Sequence, residues 1–146
     1  MILQTIGFTK KSAQQFFDIL KDNKTDLLLD IRLNNKSQLA GFTKGDDLAY
    51  FLEEICHCGY EHELNFAPSK EILDNYRDKK VTWNEYEKQY KELITKRDVC
   101  DGFIERYASY KHIVLLCSEP TPAECHRRLA AEMIRDSNPG VTINHL

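Results

Sequence analysis

The stretch VLLCSEPTPAECHRRLAAEMI, Val114–Ile134, sets Cys117, Glu119, Cys125, His126 and Arg127 around a break in hydrophobicity. These residue types suit nucleophilic catalysis: a thiolate attacks, an imidazole takes the thiol proton, and a carboxylate relays protons. A guanidinium such as that of Arg127 orients an anionic group through paired hydrogen bonds. Cys117 closes an apolar run. Cys125 lies in the first helical turn, where the helix dipole favours a thiolate. Both cysteines also suit a core, as small hydrophobes.

Counting about 100° per residue from Cys125, Leu129, Met133, His126, Ala130 and Ile134 share one face. His126 lies near its middle, Cys125 and Arg127 at its edges, and Arg128 points away. An inward imidazole near the end of the preceding strand needs a partner. Glu119 and Asp30 are candidates, or a loop carbonyl if the histidine is structural.

Two templates fail or weaken on spacing. A protein tyrosine phosphatase loop needs an arginine where Ala123 stands, and Glu119 and two prolines replace the amides that would cradle an anion. A rhodanese-like persulfide loop meets the same objection, although TDLLLDIR at Thr25–Arg32 has a rhodanese-like look. Metal binding has little support: Cys56 and Cys58 would project roughly 200° apart on a helix, and no paired CxxC motif is present. The pattern names no metal and no cofactor.

Other candidates lie at strand ends. Asp30 and Arg32 alternate on one face, and an acid closing an apolar strand needs partners. His62 ends a weaker strand and suits either a site or a solvated loop. Ser37 belongs to the polar loop LNNKSQLAGFTKG, which suits a polar ligand or plain solvation. Tyr76, Trp83, Tyr86 and Tyr90 fit helix packing better than an aromatic lid or a base-stacking surface.

The elements that must position these residues follow from periodicity. Ile2–Ile6 reads as a short buried strand. Ser12 with Gln15 forms a capping box before the stripe Ala13, Phe16, Phe17 and Leu20. Thr25–Ile31 reads as a strand covered on both faces. Leu48, Phe51, Leu52 and Ile55 mark a helix that Gly59 stops, and Tyr60–Leu64 a further strand. Ser69 caps a helix to about Tyr76, and Thr82 with Glu85 boxes another. A helix carries Phe103 and Tyr107. His112–Cys117 is a core strand, Thr121–Asp136 a helix with Thr121 as cap and Pro122 in its first turn, and Val141–His145 the last strand. The fold class is α/β: one domain over residues 1–146, a mostly parallel sheet of about five strands with helices on both faces. Ligands in such folds bind beyond the carboxyl ends of strands, here Gly7–Thr9, Asp30–Arg32 and Cys117–Glu119.

Composition bounds the function. The chain has 146 residues, 42% hydrophobic and 29% charged, which suffices for one core. A formal charge of -3 with scattered basic pairs does not indicate sequence-independent nucleic-acid binding. No signal-like start and no membrane-length apolar run are apparent, so a cytoplasmic, soluble protein is expected. Five cysteines without a secretion signal are expected as reduced thiols.

Several motifs together resemble the domain-of-unknown-function 488 family. They are TIG at Thr5–Gly7, LLLDIR at Leu27–Arg32, the Ser37, Phe42 and Leu48 run, GYEH at Gly59–His62, and LLCSE with CHRRLAAEMI at Leu115–Ile134. The resemblance implies an α/β fold and a pocket from Asp30, Arg32, Cys117, Glu119, Cys125, His126 and Arg127. It implies no reaction. Phe8 stands where that family often has histidine, and Leu64–Pro68 replaces a Leu-Gly-Gly run.

The expected function is a cysteine-assisted enzyme for a small anionic substrate, using Cys117, Glu119, Cys125 and His126, with Asp30, Arg32, Ser37, His62 and Arg127 binding the substrate. The alternatives are a nucleotide or nucleic-acid binding module and a thiol redox sensor.

Overall fold

The computed structural model of the chain describes residues 1–37, 40–119 and 121–146. Gln38 and Leu39 of the polar loop and Pro120 of the cysteine loop lie outside the described residues.

Among the described residues, five parallel strands form one sheet: β1 (Ile2–Gly7), β2 (Leu27–Asp30), β3 (Gly59–His62), β4 (His112–Cys117) and β5 (Thr142–His145). Their order is β3-β2-β4-β1-β5. The helices are α1 (Ala13–Asp22), α2 (Gly45–Phe51), α3 (Lys70–Arg77), α4 (Trp83–Arg97), α5 (Phe103–Arg106) and α6 (His126–Ser137).

Side chains alternate across a strand, so each central strand feeds two cores. Leu28, Val114 and Leu116 point to one face, against Phe16, Phe17 and Leu20 of α1 and Leu48 of α2. Leu27, Leu29, Ile113 and Leu115 point to the other, against Tyr90 and Ile94 of α4, Phe103 of α5 and Leu129 and Ile134 of α6. All four residues of β2 are buried, which is why that segment reads as an unbroken apolar run.

Local signals set several boundaries. Ser12 accepts from the Gln15 amide while the Gln15 side chain accepts from the Ser12 amide, so the capping box forms. Ser69 and Thr82 cap α3 and α4. Gly59 does not stop the second helix. A π-type turn, Leu52–Cys56, extends α2, and His57 ends it in the left-handed region at φ 51°. Gly59 instead begins β3, two residues before the exposed Glu61.

The larger correction concerns Thr121–Glu124. No helix starts there: α6 begins at His126, and its cap, Cys125, is extended and makes no side-chain capping bond. Glu124 accepts a hydrogen bond from the Tyr76 hydroxyl of α3 instead. Tertiary tethers hold the segment and override a weak local preference. The Glu119 carbonyl accepts from Arg127 Nη1 at 2.6 Å, and the Ser118 carbonyl accepts from the amide and hydroxyl of Thr9.

Two adjacent strands release their chains to opposite faces. After β2 the chain turns to the α2 face, and after β4 to the α6 face. A crevice must open between such diverging loops, at the carboxyl edge of the sheet.

Candidate functional site

A cavity of about 280 Å³ occupies that crevice. Arg32–Asn34 after β2 form one side and Cys117–Glu119 after β4 another. Glu124, Cys125 and His126 close the floor, and Tyr76, Arg77 and Tyr86 form the outer wall.

Strand alternation decides what Cys117 can reach. It shares the face of Ile113 and Leu115, the side on which α6 packs, and is 6% exposed. His126, the first residue of α6, brings Nδ1 to 3.4 Å from Cys117 Sγ. Its Nε2 lies 2.8 Å from the Ile31 carbonyl oxygen. A carbonyl only accepts, so Nε2 carries the hydrogen and Nδ1 presents a lone pair to the thiol. The Ile31 carbonyl, not Glu119 or Asp30, is therefore the partner of His126.

Cys125 completes the cluster. The donor atoms of Cys117, Cys125 and His126 all lie within 4.8 Å of one another, and all three residues are buried. The Cys125 thiol donates to the Cys117 sulfur, which holds the Cys117 pKa below its ordinary value against the opposing effect of burial. The positive charge of Arg127 acts in the same direction. The bond to Cys117, and then burial, push the Cys125 thiol up. The pair is asymmetric: one sulfur is prepared for ionisation and the other keeps its proton.

Asp30 and Arg32 bind each other. Arg32 Nε reaches Asp30 Oδ1 at 2.8 Å and Nη2 reaches Oδ2 at 2.7 Å. Tyr60 donates to the same carboxylate at 2.7 Å, and Arg32 Nη2 also donates to the Thr43 carbonyl at 2.6 Å. Asp30 has no exposed surface. Arg32 borders the cavity, yet its donors are largely committed, and the network holds Ile31 between its two members.

The remaining candidates separate. Arg127 is not at the rim: it is fully buried. Its Nη1 donates to the Glu119 carbonyl, and its Nε has no hydrogen-bond partner among the described residues. The register explains the crowding, because Gly7 lies beside Cys117 on the neighbouring strand. Glu119 is exposed and borders the cavity. His62 lies 2.7 Å from the Arg32 carbonyl oxygen and is not part of the cavity wall, nor is half-buried Ser37.

Tyr76 and Tyr86 read from the sequence as packing residues rather than as a lid or stacking surface, and no signal singled out Arg77. Tyr86 and Tyr90 pack in the core as the helical spacing implied, and the Tyr76 and Tyr86 rings lie 4.8 Å apart. The same packing turns Tyr76 and Tyr86 toward the cavity, and no local pattern distinguishes that edge. The Ile31 carbonyl is a backbone group and leaves no signal in the sequence.

The charged wall is mixed. Lys70 pairs with Asp74, while Arg77, Glu119 and Glu124 stand around the opening. All five cysteines are free thiols. Among the described residues, no helix is long and apolar enough to cross a membrane.

Fold and site together define an α/β protein with a buried Cys–His pair at a topological switch point. The chain belongs to the family described as domain of unknown function DUF488, whose pattern matches residues 12–134. No curated protein and no solved structure matches the chain significantly.

Proposed function

We propose that this protein is a cysteine-assisted enzyme acting on a small anionic substrate held in the cavity at the carboxyl edge of the sheet. The observation that carries the reading is the Cys117–His126 pair, with Sγ and Nδ1 3.4 Å apart and the imidazole oriented from behind by the Ile31 carbonyl. A nucleophile, a base and an orienting third group make the recurring arrangement of thiol catalysis.

His126 Nδ1 takes the thiol proton, and the Cys117 sulfur attacks an electrophilic centre of the substrate. The Cys125 thiol stabilises the developing thiolate by hydrogen bonding, and Arg127 contributes its field from beneath. The proton that His126 has taken passes on to the leaving group, and Glu119 borders the opening. Arg77, exposed at the mouth, takes the anion-orienting part in place of buried Arg127. Asp30 and Arg32 act indirectly, by fixing the strand end that presents the Ile31 carbonyl.

Alkylation of the folded, chelator-treated protein at neutral pH, mapped by mass spectrometry, tests the reading. Cys117 should react at least about tenfold faster than buried Cys58 and Cys100, and His126→Asn should remove most of that advantage. Modification of Cys117 only on unfolding would refute it.

A further inference from the structure

We infer that Cys117, Cys125 and His126 form a binding site for a thiophilic divalent cation of the zinc type. The three donors converge within 4.8 Å of one another in a buried cluster. Bond lengths of about 2.3 Å to sulfur and about 2.0–2.1 Å to nitrogen place the ligand atoms of a tetrahedral zinc ion about 3.5–3.8 Å apart. The Cys117 Sγ to His126 Nδ1 separation of 3.4 Å is close to such an edge.

The second shell suits the same ion. A ligating histidine ordinarily donates its other ring hydrogen to a carbonyl or carboxylate, which fixes the ring and points the free lone pair at the metal. His126 does this through Nε2 to the Ile31 carbonyl. Two thiolates also neutralise a divalent charge, so a filled site adds no net charge to the buried cluster. Two sulfurs and one imidazole exclude magnesium and calcium, which require oxygen ligands.

All three residues border the cavity, which leaves room beside the cluster for a fourth, non-protein ligand. Three protein ligands with one open position distinguish catalytic from closed structural zinc sites. Binding turns both thiols into thiolates bonded to the metal, and their protons pass to solvent. Coordination stands independently of the nucleophile reading. Its consequence, that a bound ion slows attack by Cys117 on electrophiles, rests on that reading, since coordination draws electron density from the sulfur to the metal.

The test uses the whole chain, reduced and stripped of metal, titrated with cobalt(II) and then zinc. One cobalt per chain should bind with thiolate-to-cobalt charge-transfer absorption and the intense visible bands of a tetrahedral ion, and zinc should displace it. Cys125→Ser and His126→Gln should each weaken zinc binding at least about a hundredfold, measured against a chromophoric chelator. Cys58→Ala and Cys100→Ala should leave it unchanged. In the unaltered protein, zinc should protect Cys117 and Cys125 from alkylation, a readout that no variant's folding can confuse. Absence of charge-transfer absorption, unchanged affinity in a folded Cys125→Ser protein, or a reactive Cys117 that alkylates equally fast with and without zinc would each overturn the site. Those results leave the reactivity of metal-free Cys117 untouched, so the two readings fail separately.

Discussion

The carbonyl oxygen of Glu119 lies 1.6 Å from where a β-carbon on Gly7 would sit, and Arg127 Nη1 lies 3.0 Å from the same point. The loop after β4 thus crosses directly over the end of β1, and only a residue without a side chain permits it. The crossing is backbone on backbone, so no rotamer change relieves it. Gly7→Ala should cost roughly 3 kcal/mol of unfolding free energy. It should also accelerate alkylation of Cys117 by displacing the loop. Denaturant unfolding beside the labelling rate checks both; a stable variant with unchanged labelling would contradict this account.

Among the described residues, Arg127 carries a guanidinium into the interior with one carbonyl as its hydrogen-bond acceptor and an unpartnered Nε. No acid of the described residues pairs with it. Replacing a poorly compensated buried charge by an apolar side chain of similar length is often neutral or stabilising by about 1–4 kcal/mol. Arg127→Met should therefore unfold at equal or higher denaturant, while Cys117 loses reactivity because the favourable field is gone. A strongly destabilised variant would show that the Glu119 tether outweighs the desolvation of the charge.

The Asp30–Arg32 pair should behave oppositely. Arg32→Ala leaves a buried carboxylate with the Tyr60 hydroxyl and the Arg32 amide as donors, and should cost about 3–5 kcal/mol. Tyr60→Phe removes one hydrogen bond to a charged group and should cost about 1.5–3 kcal/mol. Because the two changes act on one carboxylate, the double variant should not be additive. Urea unfolding of the four proteins gives the coupling energy, and strict additivity would count against a shared network.

Alkaline pH should weaken the fold through thiols remote from the site. Burial pushes Cys58 up to about 12 and Cys100 up to about 11, from an ordinary 9.0. Above the ordinary value the unfolded chain releases these protons while the native chain keeps them. The stabilisation is therefore full below 9.0 and is lost as pH rises toward the folded values. Unfolding free energies at about pH 7 and about pH 10 should differ by less in Cys58→Ala than in the unaltered chain. An equal decline would place the titrating groups elsewhere.

Much of the fold was written in local pattern. The buried run Thr25–Ile31, the Ser12–Gln15 box and the apolar strand ending at Cys117 each identify an element because one period, or one cap, dominates. Their alternation then implies a parallel sheet. The site was less legible. TPAE reads as a helix start since Thr, Pro and Glu suit the first turn, yet the Glu119–Arg127 and Tyr76–Glu124 contacts hold that segment as a turn and delay the helix to His126. A weak local preference yields to long-range tethers.

By itself, the sequence determined the residue chemistry and the inward turn of His126, because side-chain type and helical angle are local properties. It also determined that Cys117 ends a core strand. Only the tertiary structure decided that the donors of Cys117, Cys125 and His126 converge within 4.8 Å, that Ile31 orients the imidazole, and that Arg127 lies beneath the loop. Those relations depend on the strand order β3-β2-β4-β1-β5, which sets the ends of β1, β2 and β4 side by side. Residues far apart in the chain meet there through sheet register, and register is settled by packing across both faces rather than by any one segment.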